Sequence, residues 1–177
     1  MKDYSQEMVL TDIEICSIGF LRSNKGKPNM VLSVRIEQDL HVKDWGFTLK
    51  QAVRFYRDVC HLFANSKKLI QLNEKTKLEF SQGNFEIDAY KSYYADLKES
   101  ELCSISVVFD DKDTFICLSI RHIAEGIFHT NNYRLKSKQC LRLWYDLSSL
   151  FSKTQSLKKC LELYEDQLEV YKKIEAN

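Results

Sequence analysis

Lys50-Gln51-Ala52-Val53-Arg54-Phe55-Tyr56-Arg57-Asp58-Val59-Cys60-His61-Leu62-Phe63 returns, without a gap, as Lys138-Gln139-Cys140-Leu141-Arg142-Leu143-Trp144-Tyr145-Asp146-Leu147-Ser148-Ser149-Leu150-Phe151. Six of the fourteen positions are identical, and most others exchange one apolar residue for another. Upstream, Ile15-Cys16-Ser17-Ile18 answers Leu102-Cys103-Ser104-Ile105, and Leu32-Ser33-Val34-Arg35-Ile36 answers Leu118-Ser119-Ile120-Arg121-His122. The offset drifts only from 86 to 88 residues, which a short loop insertion explains. A unit duplicated at this length predicts two tandem repeats related by pseudo-twofold symmetry.

Within each copy the apolar period changes from two to about 3.6. Residues 9–21 alternate, with Cys16, Ile18 and Phe20 opposite Ser17 and Gly19, which is strand periodicity. The stretch from Arg22 to Asn29 is turn-rich, with Gly26 and Pro28 as punctuation. Residues 30–37 alternate again, placing Leu32, Val34 and Ile36 inward and Ser33, Arg35 and Glu37 outward, and residues 41–47 form a third strand. Thr48 then caps a helix over 49–65 whose stripe is Ala52, Phe55/Tyr56, Val59 and Leu62/Phe63. The second copy predicts strands near 102–109, 114–122 and 125–135 and a helix over 137–153. Residues 77–90 read as one or two further strands carrying Leu78, Phe80, Phe85 and Ile87, with residues 2–10 as their counterpart.

The tail has no evident counterpart in the first copy. Leu157, Leu161, Tyr164, Leu168 and Tyr171 follow 4-3-4-3 spacing and predict a final amphipathic helix over about 157–174. It packs back on the sheets, or it presents Leu161, Tyr164, Leu168 and Tyr171 to a second copy or a protein partner. The expected division is therefore repeat one at 1–76, repeat two at 77–155 and the helix at 156–177, folded as one compact α+β module.

Composition narrows the function. With 44% apolar and 29% charged residues the chain belongs among globular proteins, and a formal charge of +1 argues against bulk coating of duplex DNA. The six cysteines show no CxxC pair or zinc spacing, so they predict reduced core thiols and no metal. The start lacks the apolar core of a signal peptide and no 18-residue apolar run exists, so no membrane association and a cytoplasmic or nuclear location are expected. No GxSxG, P-loop, HExxH or GxGxxG occurs, and none of the four histidines sits in a catalytic motif, so the expectation is a non-enzyme without a cofactor.

Polar residues at matching outward positions supply the remaining signal. Arg35 and Arg121 stand at equivalent places, where an arginine fork can hold a phosphate or stack on a base; cross-strand pairing with Glu37, Glu14 or Asp39 is the plainer alternative. Trp45 and Phe115 are candidate stacking rings, although strand aromatics commonly fill cores. Arg22, Lys25 and Lys27 in the first hairpin loop, with Lys43, would steer a phosphate backbone, whereas the second loop, Asp110-Asp111-Lys112-Asp113, is acidic.

Tandem units of sheet then helix over residues 9–155 resemble, in topology, the Pur-alpha and Whirly group of single-stranded nucleic-acid binders. The resemblance implies two repeats associating into one intramolecular module that binds single-stranded DNA or RNA without catalysis; the repeats are expected to pack face to face through pseudo-twofold-related surfaces. A protein-interaction or assembly role through the last helix is the alternative.

Overall fold

The computed structural model describes residues 10–22, 28–36, 42–81, 98–109 and 114–175. The first half contains β1 (Leu10–Arg22), β2 (Pro28–Ile36), β3 (Val42–Phe47), α1 (Leu49–Asn65) and α2 (Lys67–Ser81). The second contains β4 (Lys98–Glu99), β5 (Leu102–Phe109), β6 (Thr114–Ala124), β7 (Ile127–Leu135), α3 (Ser137–Lys153) and α4 (Gln155–Glu175). The class is mixed α+β, as the alternation of periods predicts.

All seven strands join one sheet in the order β4-β3-β2-β1-β7-β6-β5. Pairing within each half is antiparallel, but the halves meet through parallel pairs, Leu10–Asp12 with Asn132–Arg134 and Trp45-Gly46 with Lys98-Glu99. This corrects the expectation of two sheets packed face to face: the halves join edge to edge. The sheet also curls. Trp45 on β3 and His122 on β6 are four strands apart in that order, which a flat sheet would separate by about 19 Å. Their ring centroids are 4.9 Å apart. Between the two edge strands run only Ser100 and Glu101, whose N–H groups donate to Gly46 O on β3 at 2.9 Å and to Arg121 O on β6 at 2.8 Å.

The concave face wraps α1 and α3. Met30, Leu32, Val34, Trp45, Phe47, Ile116, Leu118, Ile120, Tyr133 and Leu135 form one core with Ala52, Phe55, Val59, Cys140, Leu143 and Leu147. Burial pushes the Cys140 thiol up to about 12, so it stays protonated at neutral pH. Cys60, Cys103, Cys117, Cys140 and Cys160 are free thiols, the middle three of them buried.

Both long helices begin the same way. Thr48 N–H donates to Gln51 Oε1 at 2.8 Å, and Lys136 N–H donates to Gln139 Oε1 at 2.7 Å. Each glutamine then reaches into the opposite half: Gln51 Nε2 donates to Ser100 O and Gln139 Nε2 to Ile13 O, both at 2.7 Å. One amide thus satisfies its own helix start and ties it to the opposite half, at the link between β4 and β5 in one case and at β1 in the other, which accounts for the glutamine identity of the repeated stretch.

Two expectations about the helices fail. Residues Lys77–Ser81 end α2 rather than forming a strand. The alternation Leu78-Phe80 spans only two apolar positions, too few to override the helix-forming run Lys67–Leu72 that leads into it. The rest of the expected strand, 82–90, lies outside the described residues, as does the suggested strand over 2–10 apart from Leu10, which begins β1. Moreover, α4 does have a counterpart, because α2 follows α1 as α4 follows α3, each starting 88 residues from the other. Leu157 is fully buried, and Leu161 and Tyr164 pack on the core at the α1 side.

Candidate nucleic-acid interface

The sequence-predicted residues do not assemble into one site. Trp45 sits on the concave face at 1% exposure, tilted onto His122, with no hydrogen-bond partner for Nε1–H among the described residues. No face of its ring is open, so a base cannot stack there; this corrects the stacking expectation for Trp45. Lys43 is exposed on the concave side, in register with Val34. Arg35 is half-buried on the convex side beside Val42. Lys25 and Lys27 lie outside the described residues, and for Arg22 only the strand position is described. The last two predicted partner residues, Leu168 and Tyr171, fall within α4, but their side chains are outside the described set.

Two of the outward serines pair across strands, whereas the suggested arginine partners Glu37 and Asp39, and the side chain of Glu14, lie outside the described residues. Ser33 donates to Asp44 across β2–β3, and Ser119 Oγ donates to Asn132 Oδ1 at 2.7 Å across β6–β7. The first pair is buried, the second half-buried and uncharged. On the convex face Val31, Ser33 and Asp44 are buried and Val42 exposed in the first half; in the second, Phe115 and Cys117 are buried, while Ser104, Ser106, Arg121, Ile123, Phe128 and Thr130 form an open face.

Two arginine–aromatic pairs mark that open face. Arg121 lies 5.1 Å from the Phe128 ring centroid, and Phe128 is 62% exposed. Arg134 lies 4.6 Å from the Phe115 centroid and is held loosely by Asp12 at 3.7 Å. Phe115 is itself 7% exposed, so its ring is roofed by the guanidinium and the expectation that it stacks directly is corrected. The plane offered to solvent there is Arg134, and arginine planes do stack on bases. Five residues of β6 lie between Phe115 and Arg121, which stand about 20 Å apart along the strand.

Neither Phe128 nor Arg134 was singled out from sequence as a contact. The signal was the Glu125-Gly126 turn, with φ of 52° and 75°, the left-handed pair of a two-residue hairpin. It fixes Ala124 opposite Ile127, and hence Ile123 opposite Phe128 and Cys117 opposite Arg134.

A cleft of about 480 Å³ opens where β7 meets α3 and α2 begins. Among the described residues Lys67, Lys68, Arg134 and Lys136 line it together with Phe115, and Arg134 also meets the Asp12 carboxylate at 3.7 Å. At the far end of the concave face a second basic group gathers: burial lowers the pKa of His122, and Lys98, His129 and Lys43 lower it further. Among the described residues no group of three or more His, Cys, Asp or Glu could hold a metal ion, and no helix is long and apolar enough to cross a membrane. Comparison of the chain with protein families, with curated proteins and with solved structures finds no match in any of the three.

Proposed function

We propose that the chain is a non-catalytic single-stranded DNA- or RNA-binding protein that lays the strand along the convex face of β5–β7. The observation that carries this is the pairing of exposed Arg121 with exposed Phe128, and of half-buried Arg134 with buried Phe115, along the convex side of β6–β7. Single-strand binders combine stacking planes with a cationic track, and stacking tolerates any base because every base has a π-face. Ser119 and Asn132 between the pairs supply neutral donors and acceptors for sugar and base edges. Where the first half carries Asp44, the second carries Asn132, which removes the charge that would repel phosphate.

The predicted protein-interaction role of α4 has less support, because Leu161 and Tyr164 are engaged with the core. Fluorescence anisotropy of labelled single-stranded and duplex oligonucleotides at low and moderate salt tests the proposal. Preference for single strands, with a log-log salt slope of about −0.7 per phosphate neutralised, is the expected result. No binding at micromolar protein and low salt, or binding indifferent to salt, would overturn it.

A further inference from the structure

Pairing of β5 with β6 stops at Leu102–Arg121, and pairing of β1 with β7 begins at Asn132. Beyond those points residues 122–131 form a two-stranded ribbon with no third strand beside it among the described residues. His122 ties this ribbon to the opposite edge of the sheet. It is 8% exposed on the concave face, with its ring centroid 4.9 Å from Trp45 of β3 and 5.5 Å from His129 of β7. Trp45 also pairs with Lys98, one of the two residue pairs that join β4 to β3. The seam that closes the curl is therefore short, and His122 packs against it. In the first half the equivalent position is Ile36, which cannot titrate.

We infer that His122 is an acid-released latch: neutral, it holds the ribbon against the β3–β4 seam, and protonated, it lets the two part. Geometry specifies the neutral ring. Asn131 Nδ2 lies 3.3 Å from His122 Nδ1, and an amide N–H donates only to a ring nitrogen that carries no proton. Protonation places a second N–H on the ring and removes that bond. Burial lowers the His122 pKa first, and the cations facing it from each neighbouring strand, Lys98 of β4, His129 of β7 and Lys43 of β3, act in the same direction. The indole face of Trp45 attracts a cation and opposes release, but the net direction is downward. Glu101 on the closing link is exposed; the Glu99 side chain and Glu37, Asp39 and Asp96 lie outside the described residues. A lowered folded value means that the latch is fully closed above pH 6.5 and weakens as pH falls below it. Phe128 rides on the same ribbon, so release also loosens the ring beside Arg121.

Amide hydrogen exchange of the full chain without nucleic acid tests this, with rates corrected for the intrinsic effect of pH. The reporters are the N–H groups of Ser100 and Glu101, which donate to Gly46 O and Arg121 O across the seam. Their protection should fall at least about tenfold between about pH 8 and about pH 5, while the other junction, Leu10–Asp12 with Asn132–Arg134, keeps its protection. His122→Gln stays neutral and can still accept from Asn131, so its seam should be indifferent to pH. His129→Gln, at an exposed position, should keep most of the parent's loss. Unchanged protection in the parent, an equal loss at both junctions, or the same loss in His122→Gln overturns the inference. Should His122→Gln fail to fold, NMR titration of the unmutated His122 ring decides, and a midpoint at or above pH 6.5 overturns it.

Discussion

Tyr56 stacks on Phe151 with ring centroids 4.4 Å apart, and the residues 88 positions from each, Trp144 and Phe63, stack on one another at 4.6 Å. The contact is reciprocal: α1 gives α3 what α3 gives α1, the pattern of an isologous interface. Phe151→Ala and Phe63→Ala should each cost about 3–5 kcal/mol, since both rings are buried. Double-mutant cycles with Tyr56→Leu and Trp144→Leu, read by urea denaturation, should return a coupling of about 0.5–1.5 kcal/mol for each stack. A coupling in one stack and none in the other would mean that the two helices do not share an equivalent interface.

How far the sequence revealed this arrangement depends on the range of the signal. The span of α1 is legible because Thr48, Gln51 and the stripe through Phe63 are local. The strand faces are legible because alternation is local too; Leu32 and Val34 turn inward and Ser33 outward as expected. The joining of Leu10–Asp12 to Asn132–Arg134 has no local signature, since parallel pairing across 120 residues depends on the whole sheet curling. Gln51 and Gln139 were visible as identities, but their partners, Ser100 O and Ile13 O, belong to the opposite half. The cleft escaped notice for the same reason. Lys67, Lys68 and Lys136 look like ordinary helix-start lysines until α2 and β7 are brought together.

Asp146 and its counterpart Asp58 both have raised carboxyl pKa values, in each case first because burial penalises the charge, with Arg142 and Arg54 pulling the other way. A folded value above the ordinary 3.8 means that the folded state holds the proton more tightly. Stability from this group is full below pH 3.8, falls as pH rises through the raised folded value, and stays reduced at neutral pH. Asp146→Asn keeps the shape and removes the charge. Its denaturation midpoint should exceed the parent's at pH 7, and the gain should shrink as pH approaches 3.8. A gain that is the same at both pH values would show that the charge is not its source.

On α4, Leu161 and Tyr164 face the core, and Arg57 bridges them to α1, lying 5.2 Å from the Tyr164 ring centroid and 3.6 Å from Glu165. Leu161→Ser with Tyr164→Ser should therefore destabilise the fold by about 2–4 kcal/mol. Leu163, 64% exposed, should tolerate serine within about 0.5 kcal/mol. Denaturation and sedimentation velocity together check this. If the double variant keeps its stability but loses self-association, α4 is an interface and not part of the core.

The stacking face makes the sharpest demand on binding data. Phe128 and Arg121 are exposed, so replacing either with alanine should leave stability within about 0.5 kcal/mol of the parent. Each stacked base contributes about 1–3 kcal/mol, so Phe128→Ala should weaken single-strand binding about five- to 150-fold. Arg121→Ala removes a cation as well as the ring's partner, and should also flatten the salt slope by about 0.7. Because Arg121 sits over Phe128, the two losses should combine to less than their sum. Trp45→Phe should not change affinity, since that ring meets only the interior. Parent-like binding by the Phe128 and Arg121 variants, or a loss confined to Trp45→Phe, would move the nucleic acid off the convex face altogether.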